Sequence, residues 1–119
     1  MIAESSTEAL ATGTLLLGGL AQTKTGTLIT GQDLAAGTVL GRITASGKLT
    51  TAVKAAGDGS NTPVGVLIHA VDATAADKDC QLYTGGDLDA TMLTWGAGYT
   101  DADKAGAFDG TPIKLVTPA

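Results

Sequence analysis

Short runs carrying Thr, Val, Leu and Ile alternate with turns of Gly, Pro, Asn and Asp from Thr27 almost to the C-terminus. This rhythm constrains the fold more than any other feature of the chain, because such runs fit strands and no helical period recurs between them as βαβ units would require. The expected class is mainly β. Thr38 to Thr44 and Leu49 to Val53 flank Ala45-Ser46-Gly47-Lys48, where Gly47 can take the positive φ of a tight hairpin. The loop Gly57 to Asn61 ends at Pro63, which fixes the entry into Val64 to Val71. That run is apolar on both faces, so Val64, Val66, Leu67 and Ile68 are expected at the centre of the core. Asp79 to Tyr83 reads as a strand, Gly85-Gly86-Asp87 as a turn, and Leu88 to Leu93 as a run leading to Trp95. The period then changes. Thr100 is a plausible N-cap for a short helix over Asp101 to Phe108, with Asp101 and Asp103 set against the positive end of the helix dipole. Asp109-Gly110 ends it, and a last strand over Ile113 to Val116 needs an internal partner.

The chain has 119 residues, enough for one domain and one core. Residues 1–26 read as an N-terminal arm, rich in Ser, Thr, Ala and Gly, and residues 27–119 as the β-rich domain. The arm holds one small apolar patch, Leu15 to Leu17, with no evident intramolecular partner. Its Ser5 to Glu8 match to a capping box supports one helical turn at most. It is expected to be mobile in the free protein and to order on a partner. Only Tyr83, Trp95, Tyr99 and Phe108 are aromatic, so the core rests on aliphatic residues, with Trp95, Phe108, Ile113 and Leu115 expected to join it. A domain of this size buries only roughly 60 to 68% of its unfolded surface, which favours an oligomer.

The formal net charge of −5 repels phosphate. Lys24, Arg42, Lys48, Lys54, Lys78, Lys104 and Lys114 are scattered rather than clustered, so direct nucleic-acid binding is disfavoured. Cys80 is the only cysteine, which excludes an intrachain disulfide and agrees with synthesis in a reducing cytoplasm. The apolar stretch Leu15 to Leu20 follows two acids and is broken by Gly18 and Gly19, so neither a signal peptide nor a membrane span is read. His69 and Cys80 could meet across a strand pair, yet no third orienting group accompanies them and no catalytic residue is assigned. The pairs Asp77 and Asp79, Asp87 and Asp89, and Asp101 and Asp103 fall in turns or at the helix start. Turn and cap chemistry explains them better than a metal site. Gly57-x-Gly59 and Gly96-x-Gly98 lack a third glycine, so no nucleotide or other cofactor is expected. Trp95 is first a packing residue and second an anchor for a protein interface.

Five blocks, taken in order, resemble the head decoration proteins of lambda-like phages. They are Gly47-Lys48-Leu49, then Asp58-Gly59 with Pro63 to Leu67, then Leu82 to Gly86, then Leu93-Thr94-Trp95, and last Ala107 to Ile113. Together they cover roughly residues 37 to 116. The resemblance implies a β-clip-like bent ribbon that is no enzyme. It implies a homotrimer bound to the major capsid protein on the outside of the expanded head, at three-fold and quasi-three-fold positions, where it holds the shell against DNA pressure. It also implies that the N-terminal segment orders against the capsid protein, which places the contacts on Leu10, Thr12, Thr14, Leu15, Leu16 and Leu17. Two rival classes are a β-rich tail or surface module binding a receptor or carbohydrate, which would rest on Trp95 and Tyr99, and a lipoyl-type carrier acylated at Lys48.

Overall fold

In the computed structural model, residues 16–116 are described. The elements in chain order are β1 (Leu16–Leu28), β2 (Asp33–Leu34), β3 (Val39–Arg42), β4 (Leu49–Thr51), β5 (Pro63–Leu67), β6 (Val71–Asp72), β7 (Lys78–Asp89), a 3₁₀ turn (Ala90–Met92), α1 (Asp101–Gly106) and β8 (Ile113–Val116). One sheet runs β1-β4-β3-β5-β7-β8, and a further pairing of β1 with β7 brings five of its strands into a ring. The joint between β1 and β4 is the narrow one, a single register pair at Leu28 and Leu49. β2 and β6 form a separate two-stranded pair.

Alternation of side chains along the strands divides the core in two. Leu40, Leu67, Cys80 and Leu82 point into the ring, where Leu28, Leu49 and Ala73 complete one buried cluster. Their neighbours Val39 and Val66 point the other way, into a second cluster with Ala52, Leu88, Phe108 and Ile113. The period of two is the cause: successive residues of a strand face opposite sides, and here both sides are covered.

The hairpin β3–β4 pairs antiparallel as expected, with Leu40 opposite Thr51 and Arg42 opposite Leu49. Gly47 at its tip has φ 73°, a conformation that costs other L-residues roughly 1 to 2 kcal/mol. The helix also forms with its cap: the Thr100 hydroxyl accepts from the Asp103 amide at 3.1 Å, while the Asp103 carboxylate accepts from the Thr100 amide at 3.1 Å. Reciprocal satisfaction of two free amides starts a helix that is otherwise too short to be stable.

Five expectations need correction. The run Val64 to Val71 is not one central strand: β5 ends at Leu67, Ile68 is half-buried, and His69 and Ala70 are exposed. Gly85-Gly86-Asp87 does not turn the chain but lies inside β7, which continues to Asp89. Extra residues are absorbed there as bulges, since β1 and β7 change register three times between Leu16 and Thr23. The helix stops at Gly106, so Phe108 lies beyond it. Trp95 and Leu115 pack on the rim of the second cluster rather than inside it. The fifth concerns the arm. Residues 16–26, read as part of it, belong to β1 and pair antiparallel with β7, from Leu16 opposite Leu88 to Leu28 opposite Lys78. Leu16 therefore has an intramolecular partner, the second core cluster. The capping-box match at Ser5 to Glu8 lies outside the described residues.

Candidate functional site

The two ends of the described chain emerge together. At the level of Leu88 in β7, Leu16 of β1 lies on one side and Leu115 of β8 on the other. β1 runs antiparallel to β7 and β8 runs parallel to it. The chain before Leu16 and the chain after Val116 therefore leave the sheet at the same end, roughly 10 Å apart across two strand spacings.

Beside this end lies an open groove of about 320 Å³ lined by Ala90, Trp95, Asp101, Lys104, Ala105 and Leu115. Trp95 is held in place by two other rings, with Tyr99 at 5.4 Å and Phe108 at 6.2 Å between centroids, both tilted. Lys104 Nζ stands 6.0 Å from the Trp95 ring centroid, within reach of cation–π attraction. The Thr100 cap sets that geometry, because it fixes the helix turn from which Lys104 projects. Met92, at 40% exposure, is the exposed large apolar side chain among the described residues, and it ends the 3₁₀ turn that follows β7. Asp89 shapes that turn by accepting from the Thr91 amide at 2.9 Å and the Thr91 hydroxyl at 2.6 Å.

The opposite end is polar. Asp77 accepts from the Thr30 amide at 2.8 Å and from Lys48 Nζ at 2.6 Å. One carboxylate thus ties the turn after β1, the tip of the β3–β4 hairpin and the loop before β7. Its pKa lies below the usual carboxylate value, chiefly through the Lys48 hydrogen bond and then the Thr30 amide.

The residues singled out from sequence fall unevenly on this frame. Leu16 and Leu17 start β1, and Leu10, Thr12, Thr14 and Leu15 lie outside the described residues. Trp95 stands in the groove wall. His69 and Cys80 line one shallow hollow with Thr25, Val71, Asp79 and Gln81. The thiol there is disposed against nucleophilic chemistry, since burial and then the charge of Asp79 raise its pKa. Of the Asp pairs, Asp77, Asp89 and Asp103 are engaged in the loop tie, the 3₁₀ cap and the helix cap. Among the described residues no three His, Cys, Asp or Glu side chains gather around a common point. Tyr99 donates its hydroxyl to the Asn61 carbonyl at 2.5 Å, and with Trp95 packed against it the two rings do not form a free stacking platform. Sequence reasoning missed the Asp77 tie and the placement of Lys104 over Trp95. The first links residues far apart in the chain and the second depends on how the helix docks, so nothing local announces either.

The family model for bacteriophage lambda head decoration protein D matches residues 5–114. The chain belongs to that family. Its role is therefore capsid decoration and its place is the phage head, and the family is a structural one not known for enzymes. A search of the curated proteins finds no match. The matched span includes β1 and reaches back to Ser5, so a head decoration domain here takes in the strand that leads to the N-terminal segment.

Proposed function

We propose that this decoration protein binds as a homotrimer to the outside of the expanded head, at three-fold and quasi-three-fold positions, with the sheet end that carries the Trp95 groove turned toward the major capsid protein. The observation that supports the decoration role is the family match, and the course of β1, which begins with Leu16 at that same end, supports the orientation. The polar loop cluster around Asp77 then faces outward. Leu10, Thr12, Thr14 and Leu15 are the arm contacts, Leu16 and Leu17 root the arm, and Trp95 anchors the edge of the interface. Synthesis in the host cytoplasm agrees with the single reduced Cys80.

The action requires no covalent step. A ligand that binds the expanded shell better than the ruptured shell stabilises the former by mass action, and so resists the outward push of packaged DNA. Three arms on one trimer act through effective concentration, so modest contacts per arm yield slow dissociation. Fixing an arm costs roughly 1 to 2 kcal/mol of backbone entropy per residue, a cost offset only where the capsid supplies hydrogen bonds and apolar contacts.

The test is binding of the purified protein to expanded shells that lack it. Saturation at a fixed ratio to the major capsid protein is expected, together with a rise in the temperature at which shells rupture. Deleting Met1 to Gly13 stops short of β1, so the melting temperature should hold while attachment weakens. Equal attachment of the truncated protein would move the clamp to the globular body.

A further inference from the structure

β8 runs out of ladder where the Trp95 groove begins. Its last residue, Val116, lies opposite Asp89, the last residue of β7, and the residue after Asp89, Ala90, opens the 3₁₀ turn and lines the groove. Because β8 runs parallel to β7, the chain leaving Val116 is delivered at the level of Ala90, at the groove's mouth. Leu115 already forms part of the wall. The three residues that follow β8 are Thr117, Pro118 and Ala119. They cannot lengthen the ladder, since β7 has turned away and Pro118 has no amide hydrogen to donate. Their side chains carry no charge, and they lie beyond the family match, which stops at residue 114.

We infer that residues 117–119 fold over the groove between α1 and β8, with the Pro118 ring seated against the uncovered part of the Trp95 indole. Trp95 is only half-buried, and Tyr99 and Phe108 are tilted against it by 55° and 50°, so neither ring lies flat on the indole. Proline is the residue that such a seat orders at least cost, because its φ is already fixed and its side chain has no rotamers to lose. Proline-bearing segments dock on aromatic-lined grooves for this reason. Pro118 also holds Thr117 extended, so the direction set by β8 carries past Val116. Reach agrees. Three extended residues span at most roughly 10 Å, and Leu115, two residues before Thr117, is itself in the groove wall. The seated tail would pin α1, none of whose residues is buried, because Lys104 and Ala105 share the groove with Trp95. The inference concerns the protomer alone and goes beyond the decoration role without resting on it.

Trp95 is the one tryptophan of the chain, so its fluorescence and its indole resonances report on the groove without interference. In the full-length protein, NMR should show nuclear Overhauser effects between the Pro118 ring protons and the indole, with the Pro118 signals moved upfield by the ring current. Pro118→Ala and removal of residues 117–119 should each shift Trp95 emission to the red and raise its quenching by acrylamide, the deletion more than the substitution, while circular dichroism is unchanged. Absence of the Pro118–Trp95 effects would overturn the placement whatever the quenching shows. Quenching that rises on deleting Met1 to Gly13 but not on deleting the tail would make the N-terminal segment the cover, which also refutes it. Effects seen between labelled and unlabelled copies in a mixed sample would assign the seat to a neighbour's tail and refute the contact within one chain. None of these readouts involves a shell, so their failure would leave the decoration role standing, and a failure to bind shells would leave the tail's seat standing.

Discussion

Phe108 offers the sharpest test of how the fold is held. Its ring is 4% exposed and sits in the second core cluster with Val39, Val66, Leu88 and Ile113. It lies between α1 and β8, and it also supports Trp95 at 6.2 Å. Phe108→Ala removes the contact that ties the helical segment to the sheet and leaves a cavity that the surrounding strands cannot close. The expected cost is about 3 to 5 kcal/mol, a large part of the roughly 5 to 15 kcal/mol available to a domain. At about 4 to 8 °C per kcal/mol for a domain near 100 residues, the melting temperature should fall by at least about 12 °C. Met92→Ala is the matched control, because Met92 is 40% exposed and should change stability by no more than about 0.5 kcal/mol. Both are read by circular dichroism melts and checked by urea unfolding at constant slope. A fall of less than about 3 °C for Phe108→Ala would show that the second cluster does not depend on this ring, and would refute the two-cluster account.

Gly41→Ala should destabilise more than Gly47→Ala, since a Cβ at Gly41 would run into the Ser60 carbonyl oxygen whereas one at Gly47 meets nothing within 4 Å; melts that rank them the other way would contradict this. Stability should hold near neutral pH and fall as acid is added, because Asp58, Asp72, Asp77 and Asp103 all have folded pKa values below their ordinary ones, held there mainly by hydrogen bonds from Ser60, Thr74, Lys48 and the Thr100 amide respectively. A carboxylate depressed on folding contributes stability above its unfolded pKa of about 3.9 and loses it as pH drops through the folded value, so unfolding monitored from pH 6 to 2 should show the loss below about pH 4, reduced in Asp77→Asn. Cys80 is buried with a raised pKa, so a thiol reagent at pH 8 should react only after denaturant unfolds the chain; prompt reaction in the native protein would place the thiol at the surface.

The legible parts of the fold were those with local causes. The β3–β4 hairpin follows from Gly47 between two alternating runs, the helix start from Thr100 and Asp103, and β8 from the aliphatic run Ile113 to Val116. The illegible parts depend on distant partners. Gly85-Gly86 resembles a turn in isolation, yet both glycines are buried within β7 between strands on either side. β1 escaped notice because Ala21 to Thr25 are all exposed, so no alternation of apolar and polar residues marks a buried face. The threonines at 23, 25 and 27 were its one local signal. The groove was legible only through Trp95, since the pairing of Lys104 with that ring depends on how α1 docks.

The rooting of β1 changes what the arm can do. A clamp that emerged from a loose coil would transmit shell strain to that coil alone. Here tension on residue 15 would run along β1, and from Thr23 to Leu28 that strand keeps unbroken register with β7. Antiparallel ladder bonds lie across the strands, so a pull along β1 loads them in shear, many together, rather than peeling them in turn. The far end of the strand resists as well. Leu28 is wholly buried among Leu40, Leu49 and Leu82, and a pull that slid β1 by one residue toward its N-terminus would carry Leu28 to the half-buried place of Thr27, bring Ile29 into its site and turn every side chain of the strand to the opposite face. The single register pair between Leu28 and Leu49 is thus also the point where tension in the arm would reach the ring, because it closes β1 onto β4. Were the N-terminal segment to bind the shell as proposed, it would need no independent stability, because its load would pass through β1 into β7, the strand that also holds β5 and β8.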